Sequence, residues 1–246
     1  MYNDILTVMW KESKSLLRYG SSRWKGLAIL LTPMALFGII FPIQFREEWL
    51  TSGWSVVVSF ITPLVLITST IAESFAGERE RHTLETLLAS RLPDRAILFG
   101  KLLMSILFGW AMALFLLVVS LVVVNILEWK DGFQFYQPNI LWLNISVSLL
   151  MSGMVTSLGI LISLRSPTVQ SASQTIMLML FMPFILLQAV VFLLPTFVPK
   201  ETIQTLLDQL DLNEIILIGL AVLLLANIGL FLGALARFKR SRLILS

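Results

Sequence analysis

Six long apolar stretches constrain this chain more than any other feature of its sequence. They cover about residues 27–43, 54–75, 102–127, 140–164, 175–194 and 215–236, and none carries Lys, Arg or Asp in its central part. A helix that crosses the hydrocarbon core of a bilayer needs about 20 mostly apolar residues. A charge at its centre is unfavourable by about 2.5–3.5 kcal/mol. The sequence therefore predicts an all-α membrane protein with six transmembrane helices, in a single domain over residues 1–246.

The basic residues predict how these helices are oriented. If the N-terminus faces the cytoplasm, fifteen of the 18 Lys and Arg residues lie in segments on that side. The other three are Arg46, Lys130 and Lys200. Cytoplasmic segments of membrane proteins are enriched in Lys and Arg, and an even number of spans puts both termini on one side. We expect a multi-pass protein of the inner (plasma) membrane with both termini cytoplasmic.

Two segments outside the spans have amphipathic patterns. Residues 1–25 include a rough apolar face and several cationic side chains, which predicts an interfacial helix on the anionic cytoplasmic leaflet. Residues 201–211 predict a small external amphipathic helix, because apolar side chains recur there at helical spacing. Those side chains are Ile203, Leu206, Leu207 and Leu210.

The loop over residues 76–101, between the second and third spans, concentrates charge of both signs and holds the only histidine, His82. Helix-forming residues predict a helix from Glu78 to Ser90, in which Glu78, Arg81 and Glu85 are spaced for intrahelical ion pairs. A second short helix follows Pro93, with Asp94 near its N-terminus, where a carboxylate is favoured. Two interpretations stay open: a solvated connector, or a helix that docks into a groove on a soluble partner.

Several functional classes lack the residues they need. With one histidine and no cysteine, the chain has no H-E-x-x-H motif and no His/Cys metal cluster. No His or Lys lies inside a span to serve as base for a serine nucleophile. Residues 99–101, Phe-Gly-Lys, lack the remaining positions of a phosphate-binding P-loop. We therefore expect no enzyme, no cofactor in this chain, and no ATP hydrolysis by that route.

The residues of the charged loop resemble a known family. Residues 77–90, GERERHTLETLLAS, and the later pair Gly100-Lys101 are similar to the cytoplasmic loop of type-2 ABC transporter permeases. That family pattern is Gly-Glu-Arg/Lys-Glu-x-Gly-Thr-Leu-Glu-x-Leu-Leu-x-Ser-Pro, followed by Gly-Lys at the start of the third span. Two positions depart from it: His82 replaces a glycine, and Arg91-Leu92 separates Ser90 from Pro93. The six-span topology also resembles the family.

The resemblance implies the membrane subunit of an ATP-driven exporter. The loop would hold the coupling helix that contacts a separate ATP-binding subunit, which carries ATP and Mg²⁺. Two permease subunits, identical or different, would assemble with two ATPases that drive substrate outward or within the membrane. The implied coupling residues are Glu78, Arg79, Glu80, Thr83, Leu84, Glu85, Leu87 and Leu88. Glu73 is either part of a polar relay from the second span or an interfacial carboxylate, and His82 is interpreted as a surface residue of the docking helix.

Polar side chains within the spans mark candidates for a substrate path. Ser148, Ser152 and Thr156 are four residues apart and share one face of the fourth span, while Gln170 and Gln174 lead into the fifth. Small hydroxyl residues also mark tight helix packing in membranes, so both interpretations stay open. The absence of a charged pocket in the sequence pattern favours a lipid-like, hydrophobic or peptide cargo over a small ion.

Two alternatives remain. One is the haem-exporter B-type permease of cytochrome c maturation, which has six spans and a similar loop. Its loop begins with an acidic Phe-Glu-x-Asp, whereas Phe75 is followed here by Ala76, Gly77 and Glu78. The other is a membrane-embedded scaffold or channel that has no ATPase partner.

Overall fold

The computed structural model of the chain describes residues 1–17, 31–83, 91–199 and 211–238. Within these ranges every regular element is helical, which confirms the all-α prediction. A short 3-10 turn covers Trp129–Asp131. The helices in chain order are α1 (Tyr2–Leu17), α2 (Leu31–Phe45), α3 (Glu48–Thr51), α4 (Trp54–Glu80), α5 (Asp94–Leu127), α6 (Pro138–Ser163), α7 (Val169–Phe197) and α8 (Leu212–Arg237).

Five of the described helices, α4 to α8, are long and apolar enough to cross a membrane. The part of the first predicted span that is described, α2, is a shorter apolar helix. Residues 18–30, which include the start of that span, lie outside the described residues. The external helix predicted at residues 201–211 also lies outside them, except for Asp211.

The centre of the bundle is formed by α4, α5 and α6. α6 has its most extensive contact with α4 and also packs against α5 and α8. The core side chains between these helices are fully buried aliphatic and aromatic groups, among them Ile67, Ile71, Phe75, Met151 and Val155. The faces of these helices that point away from the core also carry apolar side chains, for example Val118 and Leu149, so the helices read as continuous apolar runs rather than as amphipathic ones.

A polar side chain fixes the contact between α6 and α8. The Asn227 amide on α8 donates to the Leu150 carbonyl of α6 at 2.8 Å. It also donates to the Leu223 carbonyl of its own helix at 2.9 Å. It lies against Gly153, where any Cβ atom would overlap the Asn227 amide. The close approach of the two helices therefore requires glycine at this position.

The two ends of the bundle have different chemistry. At one end α2 and α3 bring Phe45 into stacking contact with Trp49 and Trp54, beside buried Tyr136; we call it the aromatic end. At the other end α1 meets the C-terminal turns of α4, and Lys11 of α1 pairs with Glu78; we call it the charged end. Aromatic and charged side chains thus lie at two opposite ends of one helical bundle.

The helices α7 and α8 lie at the outside of the bundle. Their apolar side chains are mostly exposed, for example Leu178, Ile185, Leu217 and Leu225. An apolar face of this length is stable only against hydrocarbon or another apolar surface. These faces fit a membrane environment.

Candidate functional site

The candidate site is the segment over residues 73–83, where α4 leaves the core at the charged end. The helix widens into a π-helical turn at Glu73–Gly77, in which Ser74 to Gly77 are buried, and returns to an α-helical turn at Glu78–Glu80. π-helical turns of this kind occur frequently at functional sites. The span predicted to end at residue 75 thus continues as a helix into the charged motif.

The predicted motif helix is interrupted after its first turn. The α-helical turn ends at Glu80, and Arg81 and His82 form a turn closed by the Thr83 amide, which donates to the Glu78 carbonyl at 2.8 Å. The prediction of a helix from Glu78 to Ser90 was therefore wrong over residues 81–83, and residues 84–90 lie outside the described residues. The predicted coupling residues Leu84, Glu85, Leu87 and Leu88 lie outside the described residues. After Pro93 the chain enters α5, whose first turn holds Asp94 as predicted. The prediction of a separate short helix there was wrong, because this turn is continuous with the third span.

Glu78 belongs to a cluster of four charged side chains. Its Oε1 atom lies 2.7 Å from Lys11 Nζ on α1 and 3.1 Å from Lys101 Nζ on α5. Lys101 also pairs with Glu12 of α1 at 3.0 Å and donates to the Ser74 carbonyl at 2.6 Å. The spacing of Glu78 and Arg81 allowed an intrahelical ion pair, but Glu78 Oε1 contacts these lysines instead and Arg81 pairs with Glu73.

Arg79 contacts a different element, the C-terminal end of α6. Its guanidinium donates to the Leu164 carbonyl at 2.7 Å and to the Ser166 carbonyl at 2.9 Å. Carbonyls at the end of a helix lack partners within the helix, and a cation is favoured beside them. Nearby, the Ala76 amide donates to Ser163 Oγ at 3.0 Å, and Ser163 donates to the Ala72 carbonyl at 3.1 Å. The end of α4 and the end of α6 are therefore fastened together.

Glu80 contacts a third element, the N-terminal end of α7. Its Oε2 atom accepts a hydrogen bond from the Val169 amide at 3.2 Å. Amides in the first turn of a helix lack partners within the helix, and an anion is favoured there. Thr168 caps the same end, because its hydroxyl accepts from the Ser171 amide at 3.2 Å. Of these three consecutive residues, Glu78 thus contacts α1 and α5, Arg79 contacts the end of α6, and Glu80 contacts α7.

Glu73 and His82 lie at the edge of this arrangement. Glu73 Oε1 accepts from Arg81 at 3.0 Å, which joins the π-helical turn to the turn beyond the motif. A relay role for Glu73 stays a prediction. His82 is exposed and has φ of 56°, in the left-handed region that glycine adopts most readily. This is the position at which the family pattern has glycine, so the backbone conformation explains why glycine suits it.

The substrate-path candidates lie in two different places. Ser148, Ser152 and Thr156 are fully buried on one face of α6, and the first two hydroxyls donate to carbonyls of their own helix at 3.1 and 2.7 Å. Gln170 and Gln174 are exposed in the first turns of α7. A role for any of them in a substrate path stays a prediction.

Sequence reasoning assigned no functional role to two polar groups near the aromatic end. Asn144 is fully buried; its amide donates to Ser55 Oγ at 3.0 Å and accepts from Ser59 at 2.6 Å. The buried Tyr136 hydroxyl donates to the Leu117 carbonyl at 3.1 Å and lies 2.8 Å from Ser120 Oγ. Burial raises the pKa of Tyr136 to about 12, although the hydrogen bond with Ser120 opposes that shift. In the sequence, Asn144 was marked only as a single polar residue within an apolar run, and Tyr136 only as an aromatic residue of the loop before α6.

Across the described ranges there is no group of three or more His, Asp and Glu side chains arranged to hold a metal ion. The charged end contains carboxylates, but Glu12, Glu73 and Glu78 pair with lysine or arginine side chains, and Glu80 accepts from a backbone amide. The chemistry of this end is therefore that of ion pairs and helix-end contacts.

Comparison of the sequence with known proteins identifies the family of this chain. The model of the ABC-2 type transporter family matches residues 3–208. The ABC transporter permease protein NatB of Bacillus subtilis (strain 168) is 27% identical over 156 residues, which cover 58% of this chain and 40% of that protein. The matched region thus spans less than half the length of that relative. The family match runs from α1 through α7 and includes the charged segment, so the chain belongs to the ABC-2 type transporter family and is a multi-pass helical membrane protein.

Proposed function

We propose that this chain is the membrane permease subunit of an ABC exporter, and that residues 78–88 couple it to a separate ATP-binding subunit. The observation that carries the proposal is the contact pattern of residues 78–80. Glu78, Arg79 and Glu80 each contact a different part of the helical bundle. A partner that pushed on the segment just beyond them would therefore act on α1, α5, α6 and α7 together.

The proposal includes the topology that this function needs. In this topology the chain has six spans, and the first includes residues outside the described ranges. The charged end and both termini then lie in the cytoplasm. The interfacial helix at residues 1–25 and the external helix at residues 201–211 then lie at opposite surfaces of the plasma membrane. Two permease subunits, identical or different, and two ATPase subunits form the working unit. ATP and Mg²⁺ bind the ATPases.

The exposed faces of α7 and α8 support an assembly in a bilayer, because they need apolar surroundings. The cargo in this proposal is lipid-like, hydrophobic or peptidic. Its path includes the hydroxyl face of α6 at Ser148, Ser152 and Thr156, and the turn of α7 at Gln170 and Gln174. Substitution of these residues is expected to change transport without changing ATPase recruitment.

Recruitment of the ATPase is the decisive test. The chain is co-purified with a candidate ATP-binding subunit, and stimulated ATP hydrolysis is measured for Leu84→Arg and Glu85→Arg. A matched control is Glu47→Arg, which makes the same charge change as Glu85→Arg at an exposed residue of the aromatic end. We expect both motif variants to lose recruitment and stimulation while the control retains them. Retention in all three variants would overturn the docking role of this loop.

Topology is tested separately, because the chain has no native cysteine. Single cysteines at the exposed positions Thr83 and Glu47 are labelled in intact cells with a membrane-impermeant maleimide. We expect Glu47→Cys to react in intact cells and Thr83→Cys to react only after permeabilisation. The opposite pattern would invert the proposed orientation.

A further inference from the structure

The first half of α7 is packed into the helical bundle. Ala172, Ile176 and Leu180 recur every four residues on one face of this helix, and their side chains are buried in the core. At the start of the helix, the Val169 amide donates to Glu80 of α4. We call residues 169–182 the inner arm of α7. Its contacts with α4 and α6 fix the inner arm to the bundle.

The second half of α7, residues 184–197, has a different environment, and we call it the outer arm. It begins with Phe184, whose ring lies edge-on to Phe60 in the second turn of α4, with the ring centres 5.0 Å apart. Beyond Phe184 every side chain of the outer arm that the structure describes is exposed, up to Phe197, which is 82% exposed. A segment with few buried apolar contacts is held weakly in one position.

A proline separates the two arms. Pro183 lies inside the helix and has no backbone N–H, so the Met179 carbonyl lacks the donor that a helix normally supplies. Sharp bends of helices occur at proline for this reason. α4 also contains an internal proline, Pro63, but this residue and its neighbours Thr62 and Leu64 are buried, so packing holds both sides of that turn. At Pro183 the described side chains are packed extensively on the inner side only.

We propose that α7 is a hinged helix, in which the outer arm moves about Pro183 while the inner arm stays fixed in the bundle. The movement widens or narrows the space between the outer arm and α4 near the aromatic end, with no rearrangement at the charged end. In an exporter this movement acts as a gate on the outward side, and that use rests on the proposed function. The hinge itself is a property of the chain and is tested without an ATPase.

The hinge is tested by measuring distances between two spin labels in the cysteine-free chain. One label is placed on Val118→Cys of α5, and the second on Val190→Cys of the outer arm or on Leu178→Cys of the inner arm; all three positions are exposed. The labelled chain is diluted with unlabelled chain in lipid nanodiscs, so that only distances within one chain are measured. We expect the distance distribution of the outer-arm pair to be at least about twice as wide as that of the inner-arm pair. Equal widths would overturn the hinge.

Two proline substitutions locate the pivot. Pro183→Ala restores the missing N–H donor, so we expect it to narrow the distribution of the outer-arm pair to the width of the inner-arm pair. Pro195→Ala is the matched control, because it removes the same ring from the same helix but beyond the label at residue 190. We expect this control to leave the width unchanged. Pro183→Leu is a second variant with the same expected narrowing, and any other pattern would overturn the assignment of the pivot to Pro183.

The gate is tested in the complex with an ATPase subunit, with and without a non-hydrolysable ATP analogue. We expect the nucleotide to shift the mean distance of the outer-arm pair and to leave that of the inner-arm pair unchanged. A wide outer-arm distribution whose mean does not respond would support the hinge and overturn the gate. A chain that recruits no ATPase would overturn the proposed function, whereas the nanodisc measurements on the chain alone would still decide the hinge.

Discussion

The contact between Arg79 and the end of α6 gives the sharpest test of the charged segment. Arg79→Met removes the guanidinium but keeps an aliphatic stem of similar length. It leaves the Leu164 and Ser166 carbonyls without the donors that reach them at 2.7 and 2.9 Å. Hydrogen bonds from charged groups contribute about 1.5–3 kcal/mol each, and Arg79 is half-buried, so we expect a loss of about 2–4 kcal/mol in the free energy of unfolding.

A second arginine, two residues away, supplies the matched control. Arg81 pairs with Glu73, but their side chains are 58% and 31% exposed, so solvent screens this pair. Surface ion pairs contribute about 0–1 kcal/mol, which is the loss expected for Arg81→Met. Arg79→Lys keeps the charge without the planar, two-donor geometry and is expected to recover about half of the loss.

The assay is unfolding in mixed detergent and SDS micelles, followed by the fluorescence of the chain's seven tryptophans. The difference between the two methionine variants is the measured quantity, since both remove one positive charge from the same segment. Equal losses for Arg79→Met and Arg81→Met would refute the claim that contact with the α6 carbonyls, rather than charge, holds the segment.

Three further substitutions test other parts of the structure. His82→Gly relieves about 1–2 kcal/mol of strain in the left-handed backbone, but it also favours the unfolded chain by about 0.5–1 kcal/mol through greater conformational entropy. We therefore expect a small gain in the free energy of unfolding, and a loss would contradict the assigned backbone conformation. Burial raises the pKa of Tyr136 to about 12 from 10.0, so its stabilising contribution is present below pH 10 and is lost as pH rises towards 12. In a tyrosine absorbance titration, Tyr136→Phe should therefore remove the component of highest pKa, and persistence of that component would refute the assignment. Asn144→Leu is expected to reduce the unfolding free energy by about 1–2 kcal/mol, because Ser55 and Ser59 lose their partner; an unchanged value would show that they find others.

Local signals predicted the helices well where apolar runs are long. The pattern over 140–164 corresponds to Pro138–Ser163, and that over 215–236 to Leu212–Arg237. The predicted ends were wrong on both sides of the charged loop, where α4 continues to Glu80 and α5 begins at Asp94. The predicted spans end where charged residues interrupt the apolar runs. The helices themselves continue, because charged side chains such as Glu78 and Lys101 find partners on other helices.

The candidate site was predictable in identity but not in geometry. The motif singled out Glu78, Arg79 and Glu80, and the Gly100-Lys101 pair completed the resemblance. The partners of these residues are far away in sequence: Glu78 meets Lys11, and Arg79 meets the carbonyl of Ser166. No spacing rule within the loop could reveal them, since packing of α1, α5 and α6 at one end of the bundle creates the contacts. Glu12 was missed for the same reason.

The alternation of charge in residues 78–80 follows from what each side chain faces. The lysines of α1 and α5 require an anion at residue 78, and the carbonyl end of α6 favours a cation at residue 79. The amide end of α7 favours an anion at residue 80. A solvated connector would need charge for solubility but no fixed order of signs. In the order Glu-Arg-Glu, each charge is complementary to the group that it contacts: lysine side chains, helix-end carbonyls and a helix-start amide. We therefore infer that this order of charges is needed to attach the segment after residue 80 to the helical bundle.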